Sequence, residues 1–157
     1  MSATEIERKF RLLHTPPVEL FPGGTAISQG YVFAEDWELR LRSSADRYYL
    51  TIKSDGTISR AEWESEIPRW VFDSLWPKTE GRRLQKTRYK IPHGPLYIEL
   101  EIYAGSLSGL VTLECEFPDE RAAAQFVLPS WAESAIDVTE DKAYKNKALA
   151  LRGKPDG

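Results

Sequence analysis

Charged residues at every second position are the feature that most constrains the fold of this chain. Alternate residues of a β-strand point to one face of a sheet, so such runs place their charges together and leave apolar residues such as Ile6, Leu41 and Leu100 on the opposite face. The runs contain eight carboxylates and six cations: Glu5, Glu7, Lys9, Arg40, Arg42, Lys53, Glu62, Glu64, Lys86, Arg88, Glu99, Glu101, Glu114 and Glu116. The sequence therefore predicts a sheet with one charged and one apolar face.

The spacing of these runs predicts eight strands, joined mostly by short turns rich in Gly, Pro, Ser and Asp. The strands are expected near residues 3–12, 26–34, 38–43, 48–53, 59–67, 82–91, 95–103 and 110–117. Short connections favour antiparallel pairing, and eight strands are about the number that closes a small barrel. Helices are expected near 70–77, near 120–126, and after Thr139 as the N-cap. We therefore predict an α+β fold, an eight-stranded antiparallel β-barrel that forms a tunnel, with helices packed outside.

The direction of the charged face has two interpretations. From the pattern alone, a solvated face is the simpler one, because Lys, Arg and Glu are mostly exposed in globular proteins. Two details favour an inward face. Like-signed pairs at i and i+2 repel each other unless counter-ions neutralise them, and the apolar stripes of the helices need an apolar outer surface to cover. In this second arrangement the tunnel has a charged lumen.

Length, net charge and cysteine usage limit the classes of protein. A chain of 157 residues is expected to form one domain, residues 1–157. A net charge of −3 argues against a general nucleic-acid or anionic-membrane binder. The single Cys115 permits no internal disulfide and alternates onto the apolar face, and no signal-peptide or membrane segment is visible. We expect a cytoplasmic protein with no nucleic-acid or membrane partner.

The segment Glu5-Ile6-Glu7-Arg8-Lys9 resembles the Glu-x-Glu-x-Lys signature of the CYTH, or triphosphate tunnel metalloenzyme, superfamily. The remaining runs follow in the order that this family shows, from Arg40-Leu41-Arg42 to Glu114-Cys115-Glu116. The resemblance covers nearly the whole chain and is closest to the short bacterial inorganic triphosphatases. It implies an eight-stranded antiparallel tunnel that binds triphosphate together with a divalent metal.

The resemblance also implies roles for the charged residues. Arg binds phosphate oxygens bidentately and Lys acts as a compact positive charge, so the substrate-binding set is Lys9, Arg40, Arg42, Lys53, Lys86 and Arg88. Carboxylates suit Mg²⁺ or Mn²⁺, and the expected metal ligands are Glu5, Glu7 and Glu116, followed by Glu114 and Glu101. The expected catalytic residues are Lys86, Glu62, Glu64 and Glu101, and the carboxylate that orients or deprotonates water is left open.

The leading functional hypothesis is divalent-metal-dependent hydrolysis of inorganic triphosphate, a small-molecule substrate. One alternative is a class IV adenylate cyclase, although those cyclases carry a His-Phe pair ahead of the signature and only Met-Ser-Ala-Thr precedes Glu5 here. Thiamine triphosphatase activity is another. A non-catalytic polyphosphate- or nucleotide-binding module is a hypothesis of a different class. Lys142 and Tyr144 are expected either to line a tunnel mouth or to lie on a solvated face.

Overall fold

A computed structural model describes residues 2–3, 6–34, 37–54 and 60–155 of the chain. Ten strands form one sheet in which every neighbouring pair is antiparallel. The strands are β1 (Ser2–Ala3), β2 (Ile6–Arg11), β3 (Thr25–Ala34), β4 (Trp37–Ser44), β5 (Arg47–Ser54), β6 (Arg60–Glu66), β7 (Arg83–His93), β8 (Leu96–Tyr103), β9 (Val111–Phe117) and β10 (Ile136–Asp137).

The strand order is β1-β6-β5-β4-β3-β7-β8-β9-β2-β10. β1 pairs with β6 at one margin of the sheet, while β2 pairs with β9 near the other margin. Only two residues of the chain, 4 and 5, separate β1 from β2. The N-terminal segment therefore pairs with strands at both margins of the sheet. The sheet must curve so that these two margins lie close together.

The eight predicted strands are confirmed, and so is the predicted α+β tunnel fold. Each of the longer strands, β2 to β9, begins within three residues of its expected start. The two-residue strands β1 and β10 are additional. A pair of residues is too short to show alternation, which is why the sequence gives no sign of β10.

In the described part of the chain, three short helices accompany the sheet: α1 (Arg69–Leu75), α2 (Glu120–Gln125) and α3 (Asn146–Arg152). The Asp119 side chain caps α2 by accepting a hydrogen bond from the Ala122 amide. The 3-10 helix Trp76–Thr79 follows α1 directly. No helix of the described residues has the length and apolar character that a membrane crossing requires.

The apolar face of the sheet carries the larger hydrophobic core, centred on β2, β8 and β9. Leu100 and Leu113 are fully buried there, and Cys115 is buried beside them as the alternation predicts. α2 and the segment after it cover this face through residues such as Ala122 and Phe126. α2 thus covers apolar surface on the outside of the sheet, as predicted for the helices.

A second apolar group, which we call the end cluster, joins the sheet to the C-terminal segment. Its members are Tyr31, Leu84, Tyr103, Leu107, Leu110, Val138, Tyr144, Leu149 and Ala150. Leu84 and Tyr103 lie in phase with the charged residues of β7 and β8, and Tyr31 of β3 lies directly opposite Arg40 of β4, so the cluster continues the charged face toward one end. α3 therefore covers one end of the tunnel.

The predicted N-cap of the final helix is wrong. Thr139 lies seven residues before α3, and its hydroxyl instead accepts a hydrogen bond from the Lys9 amide at 3.0 Å. Asp141 caps the 3-10 helix Lys142–Tyr144 by accepting from the Ala143 amide. The extended segment around Thr139, which contacts β2, contains the same Thr and Asp residues that begin helices. Composition therefore does not distinguish such an extended segment from the start of a helix.

Candidate functional site

The charged face of the sheet looks inward. Its residues Lys9, Arg40, Lys86 and Glu101 are 8%, 7%, 2% and 0% exposed. Long charged side chains on a solvated face keep their heads in water, so burial of this kind requires an enclosed surface. The solvated-face interpretation is wrong, and the charged residues line a tunnel.

Glu101 of β8 lies at the centre of the ion pairs in this tunnel. The Lys86 ammonium donates to both of its carboxylate oxygens, at 2.9 and 2.8 Å. The Arg88 guanidinium donates to Oε2 through Nε at 2.9 Å and through Nη2 at 2.8 Å. Burial by itself would raise the pKa of Glu101, but Lys86 and Arg88 outweigh it and hold this pKa well below its usual range. Glu101 is therefore ionised and its two oxygens are fully engaged.

Lys86 on β7 is the most deeply buried cation of the tunnel. Desolvation lowers the pKa of Lys86 to about 8, because it outweighs the favourable charge of Glu101, and Arg88 nearby adds to the lowering. The ammonium also lies 5.5 Å from the centre of the Tyr103 ring. Lys86 is thus a buried, ion-paired cation that holds its proton less tightly than an exposed lysine does.

Three further cations pair with carboxylates on neighbouring strands. Lys9 lies 3.1 Å from Glu114, Arg40 lies 3.7 Å from Glu64, and Lys53 lies 3.8 Å from Glu62. Glu64 also accepts a 2.6 Å hydrogen bond from the buried Thr51 hydroxyl. The Nε atom of Arg40 is buried without a hydrogen-bond partner among the described residues. An unpaired buried donor of this kind fits a site that an anion completes.

Arg42 is held differently. Its Nε donates to the Gln29 side-chain oxygen at 3.1 Å, and Gln29 in turn donates to the Tyr31 hydroxyl at 2.9 Å. Burial, together with the charges of Arg40 and Arg88, lowers the pKa of Arg42 to about 10. Gln29, Tyr31 and Thr51 were not predicted from the sequence. A signal was present for Thr51, which alternates in phase with Lys53 on β5. β3 carries no charged residue, so only its register opposite Arg40 and Arg42 places Gln29 and Tyr31 in the lining.

The carboxylates gather around β2, β8 and β9. Glu7 lies directly opposite Glu116, and Glu99 directly opposite Glu114, in the strand pairing. Burial raises the pKa of Glu99, and although Arg88 opposes this, the neighbouring carboxylates of Glu101, Glu114 and Glu116 raise it further. Like charges placed opposite each other across strands are destabilising without a counter-ion. Carboxylate oxygens are the donors that Mg²⁺ and Mn²⁺ prefer, so Glu99 joins the candidate ligands, although it was not singled out from the sequence.

The predicted metal ligands are spread along the lining rather than gathered in one coordination shell. Among the described residues, no three His, Cys, Asp or Glu side chains are grouped closely enough to hold a metal ion. Glu114 is engaged by Lys9, and Glu101 by Lys86 and Arg88. Glu5, a first-choice ligand, lies outside the described residues. Glu7 and Glu116 are exposed.

The C-terminal segment contributes to the tunnel through Tyr144. The Lys9 ammonium donates a short hydrogen bond to the Tyr144 carbonyl oxygen, and Arg11 donates to the Tyr144 hydroxyl at 3.2 Å. Tyr144 is buried, whereas Lys142 is exposed. Of the two residues expected at a tunnel mouth, Tyr144 lies against the charged lining and Lys142 faces water.

Comparison with known proteins gives consistent matches over nearly the full chain. A protein of Nitrosomonas europaea named inorganic triphosphatase is 49% identical over 152 residues, covering 94% of this chain and 97% of the relative. A protein of Acetivibrio thermocellus with the same name is 35% identical over 148 residues and covers 92% of each chain. A scan against sequence profiles of protein families gives no match.

Solved structures agree with these relatives. The crystal structure of the inorganic triphosphatase NE1496 superposes with a TM-score of 0.71 at 42% identity, covering 99% of this chain and 98% of that chain. A Hippeastrum protein described as a putative adenylyl cyclase with a dominant triphosphatase activity gives a TM-score of 0.57 at 16% identity and covers 76% of this chain and 82% of that chain. The second likeness shows the fold alone. The chain belongs to the inorganic triphosphatase family, within the CYTH or triphosphate tunnel metalloenzyme superfamily.

Proposed function

We propose that residues 1–157 form one triphosphate tunnel domain that hydrolyses inorganic triphosphate and releases phosphate with the help of a divalent metal. The observation that carries the proposal is the enclosed lining of the tunnel, in which buried cations stand beside a group of carboxylates. A pure anion-binding module gains nothing from inward carboxylates, because they repel the ligand. Metal-assisted phosphoryl transfer uses both kinds of group.

The cations are proposed to hold the substrate. Lys9, Arg40, Arg42, Lys53, Lys86 and Arg88 line the tunnel, and all except Arg42 are already paired with a carboxylate in the described part of the chain. Entry of a polyanion would exchange part of these internal pairs for phosphate oxygens. Arg40 and Arg42 have guanidinium N–H donors that no part of the described chain satisfies. We therefore propose that these two residues are the first to bind phosphate oxygens of the substrate.

The carboxylates are proposed to hold Mg²⁺ or Mn²⁺. Glu5, Glu7, Glu114 and Glu116 lie on β2 and β9 or directly before them, and Glu99 and Glu101 lie on the adjacent β8. A divalent metal bound there neutralises charge on phosphate oxygens and orients the triphosphate. Glu101 is proposed to serve the site mainly by fixing Lys86 and Arg88, because its oxygens already accept from both.

Proton transfer from the attacking water is proposed to involve Lys86, Glu62, Glu64 or Glu101. Glu62 and Glu64 are partly exposed, so water reaches them, and Thr51 orients the Glu64 carboxylate. Glu101 is enclosed and doubly paired, which leaves it less able to accept a proton. Lys86, with its lowered pKa, is the proposed first choice.

Phosphate release from tripolyphosphate, measured with Mg²⁺ and with Mn²⁺, tests this function. We expect metal-dependent release whose kcat/KM falls by about a hundredfold or more in Arg42→Ala and Glu5→Ala, since each removes a charge used on the substrate or metal. Leu151→Ala, on an exposed position of α3, is the matched control and should keep wild-type activity. ATP, thiamine triphosphate and pyrophosphate assayed beside tripolyphosphate establish the preferred substrate. Intact tripolyphosphate with both metals would refute the proposal.

A further inference from the structure

Gln29 on β3 is a fully buried neutral residue in a lining that is mostly charged. It is 0% exposed and makes two side-chain hydrogen bonds, from Arg42 Nε to its Oε1 and from its Nε2 to the Tyr31 hydroxyl. Arginine can only donate, so the amide must turn its oxygen toward Arg42 and its nitrogen toward Tyr31. Tyr31 belongs to the end cluster and is itself buried, which fixes the far side of this chain of hydrogen bonds.

Arg42 is the exception among the tunnel cations. Within the described residues, the other five each form an ion pair with glutamate, while Arg42 forms none and bonds only the neutral Gln29 amide. The bond uses Nε alone. The two terminal nitrogens of Arg42 make no hydrogen bond to any part of the chain that the structure describes.

We propose that Gln29 is a positioning residue for triphosphate: it fixes the Arg42 guanidinium through Nε without neutralising it. Both terminal nitrogens and the full positive charge of Arg42 then remain for phosphate oxygens. A glutamate at position 29 would orient the guanidinium equally well but would cancel its charge. The inference rests on the proposed function only in taking triphosphate as the anion.

Two variants separate this role from simple packing. Gln29→Glu keeps the size and the acceptor but places a negative charge beside Arg42, whereas Gln29→Met keeps the approximate length and removes the acceptor. Because Arg42 contacts phosphate charge in the ground state as well as in the transition state, we expect the loss in KM, with kcat within about twofold of wild type. Gln29→Glu should raise the KM for tripolyphosphate about tenfold or more, and Gln29→Met about threefold.

A double-mutant cycle tests whether Gln29 acts through Arg42. In an Arg42→Met background, the loss of tripolyphosphate affinity caused by Gln29→Glu should be at least about threefold smaller than in the wild type, because only direct repulsion of the ligand by the new carboxylate remains. A packing role predicts instead that Gln29→Glu, which has the same shape, leaves KM unchanged in both backgrounds. An unchanged KM in Gln29→Glu, or an equal loss in both backgrounds, would overturn the proposal.

Calorimetric binding of tripolyphosphate in the absence of metal keeps this test separate from the proposed activity. If the wild-type protein binds tripolyphosphate in this experiment but does not hydrolyse it after Mg²⁺ or Mn²⁺ is added, the proposed function fails, and the ratio of dissociation constants between Gln29→Glu and wild type still decides the role of Gln29. Tyr31→Phe provides an independent variant should Gln29→Glu not fold. It frees the amide nitrogen, and we expect the dissociation constant to rise about twofold to threefold. An unaltered constant in a folded Tyr31→Phe protein would contradict the proposal.

Discussion

The charge state of Lys86 is set by its surroundings at the scale of a single side chain. Burial lowers its pKa to about 8, so the amine is mostly protonated at neutral pH and loses its proton as the pH rises through that value. If neutral Lys86 accepts the proton of the attacking water, kcat should increase with pH up to about 8 and then level off. The measurement is kcat for tripolyphosphate from about pH 6 to about pH 10 at saturating metal.

Lys86→Arg is the control for this pH dependence. Arginine keeps the positive charge but stays protonated over the whole range, so the rising limb should disappear and kcat should fall about a hundredfold or more. The same rising limb in Lys86→Arg would assign the titration to another group.

Residue-scale prediction from the sequence succeeded where side chains are charged. Alternating charge identified Lys9, Arg40, Lys86 and Glu101 as members of one face, and burial in the tunnel confirms that they lie together. It missed Gln29 and Thr51, because a neutral polar residue in a strand is equally common on a solvated face. The carboxylate with which each cation pairs depends on the strand register, and the register was not predicted from the sequence.

At the scale of elements, β3 and the 3-10 helix Trp76–Thr79 meet at Gly30. A Cβ atom on Gly30 would lie 2.7 Å from Thr79 Cβ and 2.9 Å from the Trp76 ring. Thr79 is fully buried and accepts a hydrogen bond from Arg83, so it has little freedom to move. We expect Gly30→Ala to lower the free energy of unfolding by about 1–3 kcal/mol, measured by denaturant titration.

Gly23→Ala is the matched control, because nothing lies within 4 Å of a Cβ built there. Its free energy of unfolding should change by less than about 0.5 kcal/mol. If Gly30→Ala and Gly23→Ala have the same free energy of unfolding, then the close contact between β3 and the 3-10 helix does not contribute to stability.

The C-terminal helix α3 is held by its inner side chains. Leu149 is 1% exposed within the end cluster, whereas Leu151 on the same helix is 41% exposed. Leu149→Ala should therefore lower the free energy of unfolding by about 2–5 kcal/mol, and Leu151→Ala by less than about 0.5 kcal/mol, in thermal or denaturant unfolding. Similar small losses in both variants would mean that α3 is not part of the cooperative fold.

Elements were predicted unevenly. Strands with strict alternation, such as β5 and β8, were placed within one or two residues. The final helix was placed too early, because the sequence from Thr139 onward carries cap and charge patterns that here serve a 3-10 helix and an extended segment beside Lys9. Those contacts join residues about 130 positions apart in the chain, and local patterns contain no information on such distant partners.

For the whole molecule, the crowded carboxylates predict that metal stabilises the protein even without substrate. The facing pairs Glu7 with Glu116 and Glu99 with Glu114 place like charges opposite each other, and although Lys9 pairs with Glu114 and Arg88 with Glu99, a divalent cation adds further neutralising charge. Saturating Mg²⁺ or Mn²⁺, at about a hundred times its dissociation constant, should add about 2.7 kcal/mol to the free energy of unfolding and raise Tm accordingly. Calorimetric melting curves with and without metal measure this shift.

NaCl at matched ionic strength is the control, since screening alone should give a much smaller rise in Tm. Glu116→Gln removes one of the facing charges and should reduce the metal-induced shift while raising the Tm of the metal-free protein. An identical metal response in wild type and Glu116→Gln would place the metal elsewhere.

The pairing of β2 with β9 also governs when the molecule can assemble. Ile6 aligns with Phe117, so the second strand of the chain finds its neighbour only after more than a hundred further residues have been synthesised. Contacts between such distant residues slow folding, because the loop between them must be ordered first. During translation, the hairpins from β3 to β8 can form while the N-terminal segment waits. The tunnel therefore forms late in synthesis. It is completed only when β9 has emerged from the ribosome and β2, near the N-terminus, pairs with it.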